Sequence, residues 1–164
     1  MASGRIILVD TMVILRCHEH RCWTTLAKRF PLETVEKCIE ETQTGQRTRQ
    51  RQAIDEQALR ADFKAIHAVT QLQIAQVQLT GGENLDDGEQ QLWAHALSRD
   101  DAWVLTGPDT ASMKFGFRAG FRERLVSVGG LFGEIGFKPQ SPLPDHFQKR
   151  WLEDLMARLT LGEL

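Results

Sequence analysis

At 164 residues, with 41% hydrophobic and 26% charged side chains and a formal net charge of -2, the chain has the makeup of one ordinary globular domain. This excludes nucleic-acid binding through bulk positive charge and a low-complexity or repeat architecture, and the odd count of thiols, Cys17, Cys22 and Cys38, argues against a disulfide scaffold. The apolar run after Met-Ala-Ser-Gly-Arg is too short for a signal peptide or a membrane span, so a cytoplasmic protein with no membrane partner is expected.

Arg5 to Asp10 (RIILVD) is an apolar run bounded by Gly4 and a carboxylate, the signature of a strand buried on both faces in a parallel sheet. Val13 to Phe30 reads as a helix stopped by Pro31, and Thr34 to Thr44 as a second helix with Val35, Cys38 and Ile39 on its buried face and Gly45 as its C-cap. Ile54, Ala58, Leu59, Phe63 and Ile66 recur at helical spacing over Ile54 to Val69. Ile74 to Leu79 alternates as a strand would, although "TQLQIAQVQL" also allows the helix to continue.

After the Gly81-Gly82 break, Asp86 to Leu97 returns to helical spacing through Leu92, Trp93, Ala96 and Leu97. Ala102 to Leu105 is a compact strand, Thr110 to Ala119 a helix ended by Gly120, and Leu125 to Val128 the last strand. Strands separated by helices imply right-handed crossovers: a three-layer α/β/α sandwich around a mainly parallel sheet, spanning residues 1–136. Residues 137–164 read as a proline-containing linker, "FKPQSPLPD", and an amphipathic helix over Asp145 to Leu159. Its stripe is Phe147, Trp151, Leu152, Leu155, Met156 and Leu159. Packing on its own domain is the preferred reading of that stripe; the alternatives are a homodimer contact and a protein partner.

In open α/β sheets the functional crevice lies beyond the carboxyl ends of the strands. Asp10 ends the first strand, and Asp109 follows the strand Ala102 to Leu105 after Thr106-Gly107-Pro108. Glu89 stands in the first turns of a helix just after Asp86 and Asp87, and Glu40 and Glu41 lie on another helix. Carboxylates gathered there repel one another unless a cation joins them, and Mg2+ or Mn2+ suits an all-oxygen donor set. Such a centre fits phosphodiester hydrolysis.

These residues resemble the PIN-domain nucleases, a family that includes the VapC-type ribonuclease toxins of toxin-antitoxin pairs. The resemblance covers about residues 5 to 135, in order. "ILVDTMVIL" is similar to the family's first strand and aspartate, and "VEKCIEETQTG" to the segment whose glutamate precedes a glycine by four positions, which selects Glu41 over Glu40. "LDDGEQQLWAHAL" resembles the Gly-Glu form of the third acidic segment, with Glu89 as ligand and Asp86 or Asp87 as accessories. "WVLTGPDTASM" resembles the closing strand, with Thr106 orienting a water or a carboxylate and Asp109 as the fourth acid. "RLVSVGGLFGEIGF" fits the last strand and the leucine-containing segment after it.

The resemblance implies an endoribonuclease with Asp10, Glu41, Glu89 and Asp109 around Mg2+ or Mn2+, acting on RNA, either as a toxin with an antitoxin partner or in RNA processing. Two positions depart from the family's pattern. Met12 stands where a small polar residue is usual, and two residues, Gly107 and Pro108, separate Thr106 from Asp109 where one is usual. Both leave open a non-catalytic PIN-like module that binds protein or RNA. A phosphotransferase of the haloacid-dehalogenase type is more distant, since it expects an aspartate where Met12 stands.

Each acid also has a plain structural role. Asp10, Asp86 and Asp109 suit helix N-caps, Asp87 and Glu89 suit a first helical turn, and Glu41 suits a solvated helix face. A solvated face is the plain reading of any one cation; as a group, Arg47, Arg49 and Arg51 in "QRTRQR" are better placed for RNA phosphates or for a partner protein than Lys114, Arg118, Arg122 and Arg124. Cys17, His18, His20 and Cys22 offer zinc ligand types without zinc spacing. They are expected to be a core cysteine and exposed histidines rather than a zinc site.

Overall fold

The computed structural model describes residues 4–44 and 54–164. Five parallel strands form one sheet in the order β3-β2-β1-β4-β5: β1 Ile6–Val9, β2 Leu32–Val35, β3 Ala65–His67, β4 Trp103–Thr106 and β5 Leu125–Val126. The first strand is the middle one because its side chains are apolar on both faces. Ile7 and Val9 enter one buried cluster with Val13, Ile14, Trp23, Leu32 and Phe132, while Leu8 enters a second with Val35, Leu92, Trp93 and Leu105. Helices therefore cover both faces and the fold is a three-layer α/β/α sandwich. The order of strands reverses between β1 and β4, which makes their carboxyl ends, Val9 and Thr106 in register, the natural crevice.

Helix α1 (Thr11–Glu19) starts directly after β1, with Asp10 as its N-cap accepting from the Val13 amide. The segment read as one helix to Phe30 is two. Arg21 takes a left-handed φ of 57°, the Cys22 amide donates to the Cys17 carbonyl, and α2 (Trp23–Arg29) begins beyond this turn. The helix expected over Thr34 to Thr44 is instead the end of β2 followed by α3 (Glu36–Gln43). Its expected C-cap, Gly45, lies outside the described residues.

The Ile54 to Val69 segment also divides, into α4 (Glu56–Ala61) and β3, whose backbone pairs with Glu33, Thr34 and Val35 of β2. The strand expected at Ile74 to Leu79 is α5 (Gln71–Val77), continued by a wide π-type turn over Gln78–Gly82. A reciprocal capping box decides this: the Thr70 hydroxyl accepts from the Gln73 amide, and the Gln73 side chain accepts from the Thr70 amide. Helix α6 (Asp87–Leu97) opens on a second capping box, between Asp86 and Glu89.

Thr106 belongs to β4, α7 (Thr110–Arg118) follows its Asp109 cap, and β5 gives way at Ser127 to α8 (Val128–Glu134). The proline-containing stretch leads through a single 3-10 turn, Asp145–Phe147, into α9 (Lys149–Thr160). Phe147 is buried in the first cluster, whereas Leu152, Leu155, Met156 and Leu159 are buried in the second, so this segment joins the two cores. No helix among the described residues is long and apolar enough to cross a membrane.

Candidate acidic centre and a histidine-glutamate group

Four segments bring carboxylates to the carboxyl edge of the sheet. Asp10 is buried there because it both ends β1 and caps α1; one oxygen accepts from Val13 at 2.9 Å. Burial foremost, and then the nearby charges of Asp86, Asp109 and Glu41, raise its carboxyl to about 7 against the opposing Val13 hydrogen bond. Glu89 is pushed up to about 8 by burial and by Asp86, Asp109 and Asp10, against the Asp86 amide bond. Glu41 is also raised, chiefly by burial, with the Thr11 hydroxyl working the other way through a 2.7 Å hydrogen bond. Asp10 feels the charges of Asp86, Asp109 and Glu41, and Glu89 those of Asp86, Asp109 and Asp10, but among the described residues these acids do not bring three ligand atoms within 4.8 Å of one another.

Close packing by glycine admits them. A Cβ on Gly88 would stand 2.3 Å from Glu41 Oε1 and 3.3 Å from Thr11 Oγ1; a Cβ on Gly107 would stand 2.8 Å from Asp10 Oδ2. The absence of a side chain at Gly107 is thus what lets Asp10 fit beneath the turn after β4. Asp109 remains close enough to raise both Asp10 and Glu89, while its own Oδ1 accepts from the Ser112 amide at 3.0 Å. Thr106 is buried at the end of β4.

Glu40 and Glu41, adjacent in sequence, are separated by the helix: Glu40 is exposed and paired with Lys37, whereas Glu41 turns inward to Thr11. Asp86 caps α6 through the Glu89 amide at 2.8 Å, and Asp87 is exposed in the first turn. Met12 is half-buried and packs against the first core cluster. Arg47, Arg49 and Arg51 lie outside the described residues. Of the other cations, Arg124 donates to the carbonyls of Asp101 and Trp103, Arg122 to Thr160 and Arg118 to the Leu164 carbonyl; these tie chain segments together.

Cys17 and Cys22 are fully buried and interact through their side chains, which raises the Cys17 thiol and lowers that of Cys22. The two histidines are half-buried rather than exposed. His18 stacks on Trp23 and bonds the Ile14 carbonyl, and His20 bonds Ser141. These contacts anchor α1 to α2 and to the C-terminal segment.

A second group was not visible in the sequence. The ligand atoms of Glu33, His67 and His95 all lie within 4.8 Å of one another, so that these three residues could hold a metal ion. Glu33 and Val35 occupy the β2 face that looks toward α6, and His67 is in register with Val35, next to Glu33 on that face. Burial works against Glu33 ionisation, but hydrogen bonds from His67 and Arg99 and their charges outweigh it and hold the carboxyl below its ordinary value. Burial foremost, and then the neighbouring His67 and Arg99, lower His95 to about 4. The three residues come from three separate segments, and no spacing rule links them; the one local signal is a glutamate inside the run LETV. No family model, curated protein or solved structure matches the chain.

Proposed function

We propose that the chain is a metal-dependent endoribonuclease of the PIN type, hydrolysing RNA phosphodiester bonds at a centre made by Asp10, Glu41, Glu89 and Asp109. The observation that carries this reading is the gathering of acids from distant segments at the carboxyl ends of β1 and β4, with Asp10 and Glu89 buried and Glu41 held by Thr11 against Gly88; the upward shift of Asp10 and Glu89 accords with it. Structural caps need no such crowding. An all-carboxylate set whose members oppose one another's ionisation fits a hard divalent cation, Mg2+ or Mn2+, with Asp86 as a nearby accessory. When bound, that ion lowers the pKa of an attacking water and offsets charge on the scissile phosphate.

The protein's own contribution is placement. Thr11 holds Glu41, the Asp86 amide holds Glu89, and the cap at Val13 leaves Asp10 Oδ2 facing Gly107. Thr106 at the buried end of β4 would orient a water or a carboxylate. RNA is favoured over DNA through the family resemblance; the toxin of a toxin-antitoxin pair and an RNA-processing enzyme are both versions of this reading, and a cytoplasmic location goes with either.

Mn2+ binding and RNA cleavage by the wild type, both lost in Asp10→Asn and Glu89→Gln with folding retained, are the expected results. Cleavage unchanged in both variants, or no Mn2+ binding by the wild type, overturns the nuclease reading. The protein would then be a PIN-like binding module, the alternative that Met12 in place of a small polar residue favours.

A further inference from the structure

Arg99 Nη1 lies 2.7 Å from Glu33 Oε1 and 3.0 Å from His95 Nε2, and His67 Nε2 lies 2.6 Å from the same Glu33 oxygen. An arginine nitrogen only donates, so His95 Nε2 accepts and presents its lone pair to the centre of the group. A carboxylate oxygen and an unprotonated imidazole nitrogen therefore converge on one positively charged atom. The imidazoles of His67 and His95 stack with centroids 3.8 Å apart and planes 15° apart, so both reach one cation only when one ring turns out of the stack, because a metal lies in the plane of each imidazole that binds it.

We propose that Glu33, His67 and His95 form a binding site for a zinc-class divalent cation, and that Arg99 occupies the position of that cation in competition with it. Two imidazole nitrogens and one carboxylate oxygen are a donor set for Zn2+ and its neighbours Co2+ and Ni2+, in contrast to the all-oxygen set at the acidic edge. The cation enters as Arg99 Nη1 leaves Glu33 and His95 and as His67 Nε2 gives up its hydrogen bond to Glu33. Arg99 keeps a place to go. Its Nε and Nη2 already bond both oxygens of exposed Asp101, at 2.9 and 2.6 Å.

The site is distinct from the acidic centre. Glu89 and His95 both lie on α6, six residues apart, or about 9 Å along the helix axis. A cation bound to Glu33, His67 and His95 would join β2, β3 and α6, three elements that converge here from separate parts of the chain.

Zn2+ titration of the metal-free full-length chain against a competing chelator, with Co2+ as the spectroscopic probe, tests this. One Zn2+ per chain is expected to bind tightly enough to compete with the chelator in the wild type and equally in Asp10→Asn, any binding at the acidic edge being weaker than the chelator, with visible Co2+ bands that lack sulfur-to-cobalt charge transfer. His67→Ala and His95→Ala weaken binding about 100-fold or more. Arg99→Met tightens it about tenfold, because the competing cation is gone. Equal Zn2+ affinity in the wild type and both histidine variants, a sulfur charge-transfer band, or no tightening in Arg99→Met would overturn the proposal. Loss in Asp10→Asn would assign the ion to the acidic edge instead, and also overturn it.

Discussion

The Thr11 hydroxyl donates to Glu41 Oε1 across 2.7 Å, so the first residue of α1 fixes a carboxylate carried by α3. The bond is part-buried and links residues on either side of α2 and β2. Thr11→Val keeps the shape and removes the donor. It is expected to weaken Mn2+ binding about tenfold while reducing stability by about 1 kcal/mol. Thr11→Ser restores both. Metal titration beside chemical denaturation separates the two effects.

Stability of the protein without divalent metal should fall as pH rises. Asp10 and Glu89 have folded-state values of about 7 and about 8, above those of ordinary carboxyls. Between about 4 and these values the folded state binds more protons than the unfolded one, so stability is greatest below the unfolded pKa. It is lost as pH passes upward through 7 and 8. Melting temperature measured from pH 4 to pH 9 should show this decline, and Asp10→Asn, which can still cap α1, should flatten it. A decline of equal steepness in Asp10→Asn and Glu89→Gln would trace it to other groups.

Gly88→Ala should separate function from folding. Alanine favours the helix by about 1 kcal/mol, yet its Cβ would lie 2.3 Å from Glu41 Oε1. Glu41 is the mobile partner and must swing away. Denaturation midpoints should hold or rise while Mn2+ affinity and RNA cleavage fall. Retained affinity would remove Glu41 from the centre.

Gly116→Ala should do the reverse. A Cβ there would meet Trp93 at 2.6 Å and Leu125 at 2.9 Å. Trp93 is fully buried, held by Ser112 through its indole N–H and enclosed by Trp103 and Phe115, and has no room to yield. Overpacking of this kind costs about 1–3 kcal/mol. Urea midpoints should drop with the m-value unchanged, and Mn2+ affinity of the folded fraction should be preserved.

Local chemistry was legible wherever a residue's own neighbours decide its structure. The apolar run Ile6 to Val9 had to be a central strand, the Asp86–Glu89 pair had to open a helix, and the Gly120 stop and the stripe from Leu152 to Leu159 lay where expected, while Phe147 fell outside α9 in a 3-10 turn. Three of the acids were legible because they also mark element boundaries: Asp10, Asp86 and Asp109 are all N-caps, whereas Glu41 lies inside α3 and marks none. The same logic should have placed α5, since Thr70 and Gln73 form a capping box that outweighs the alternation of "TQLQIAQVQL".

β2 and β3 were not legible. Leu32–Val35 carries a glutamate and a threonine where a buried strand is expected to be apolar, and Ala65–His67 is a short strand ending in a histidine. Glu33 is tolerated in the sheet because His67 and Arg99, distant in sequence, supply hydrogen bonds and positive charge. By itself the sequence determined the central strand, most helix starts and which acids stand at strand and helix ends, because short-range hydrogen bonding and side-chain alternation are encoded within a few residues. Only the tertiary structure decided that Glu41 rather than Glu40 faces Thr11, that Glu33 can be buried, and that two histidines meet beside it. Those outcomes depend on charges and packing partners that the chain brings together only when the sheet is assembled.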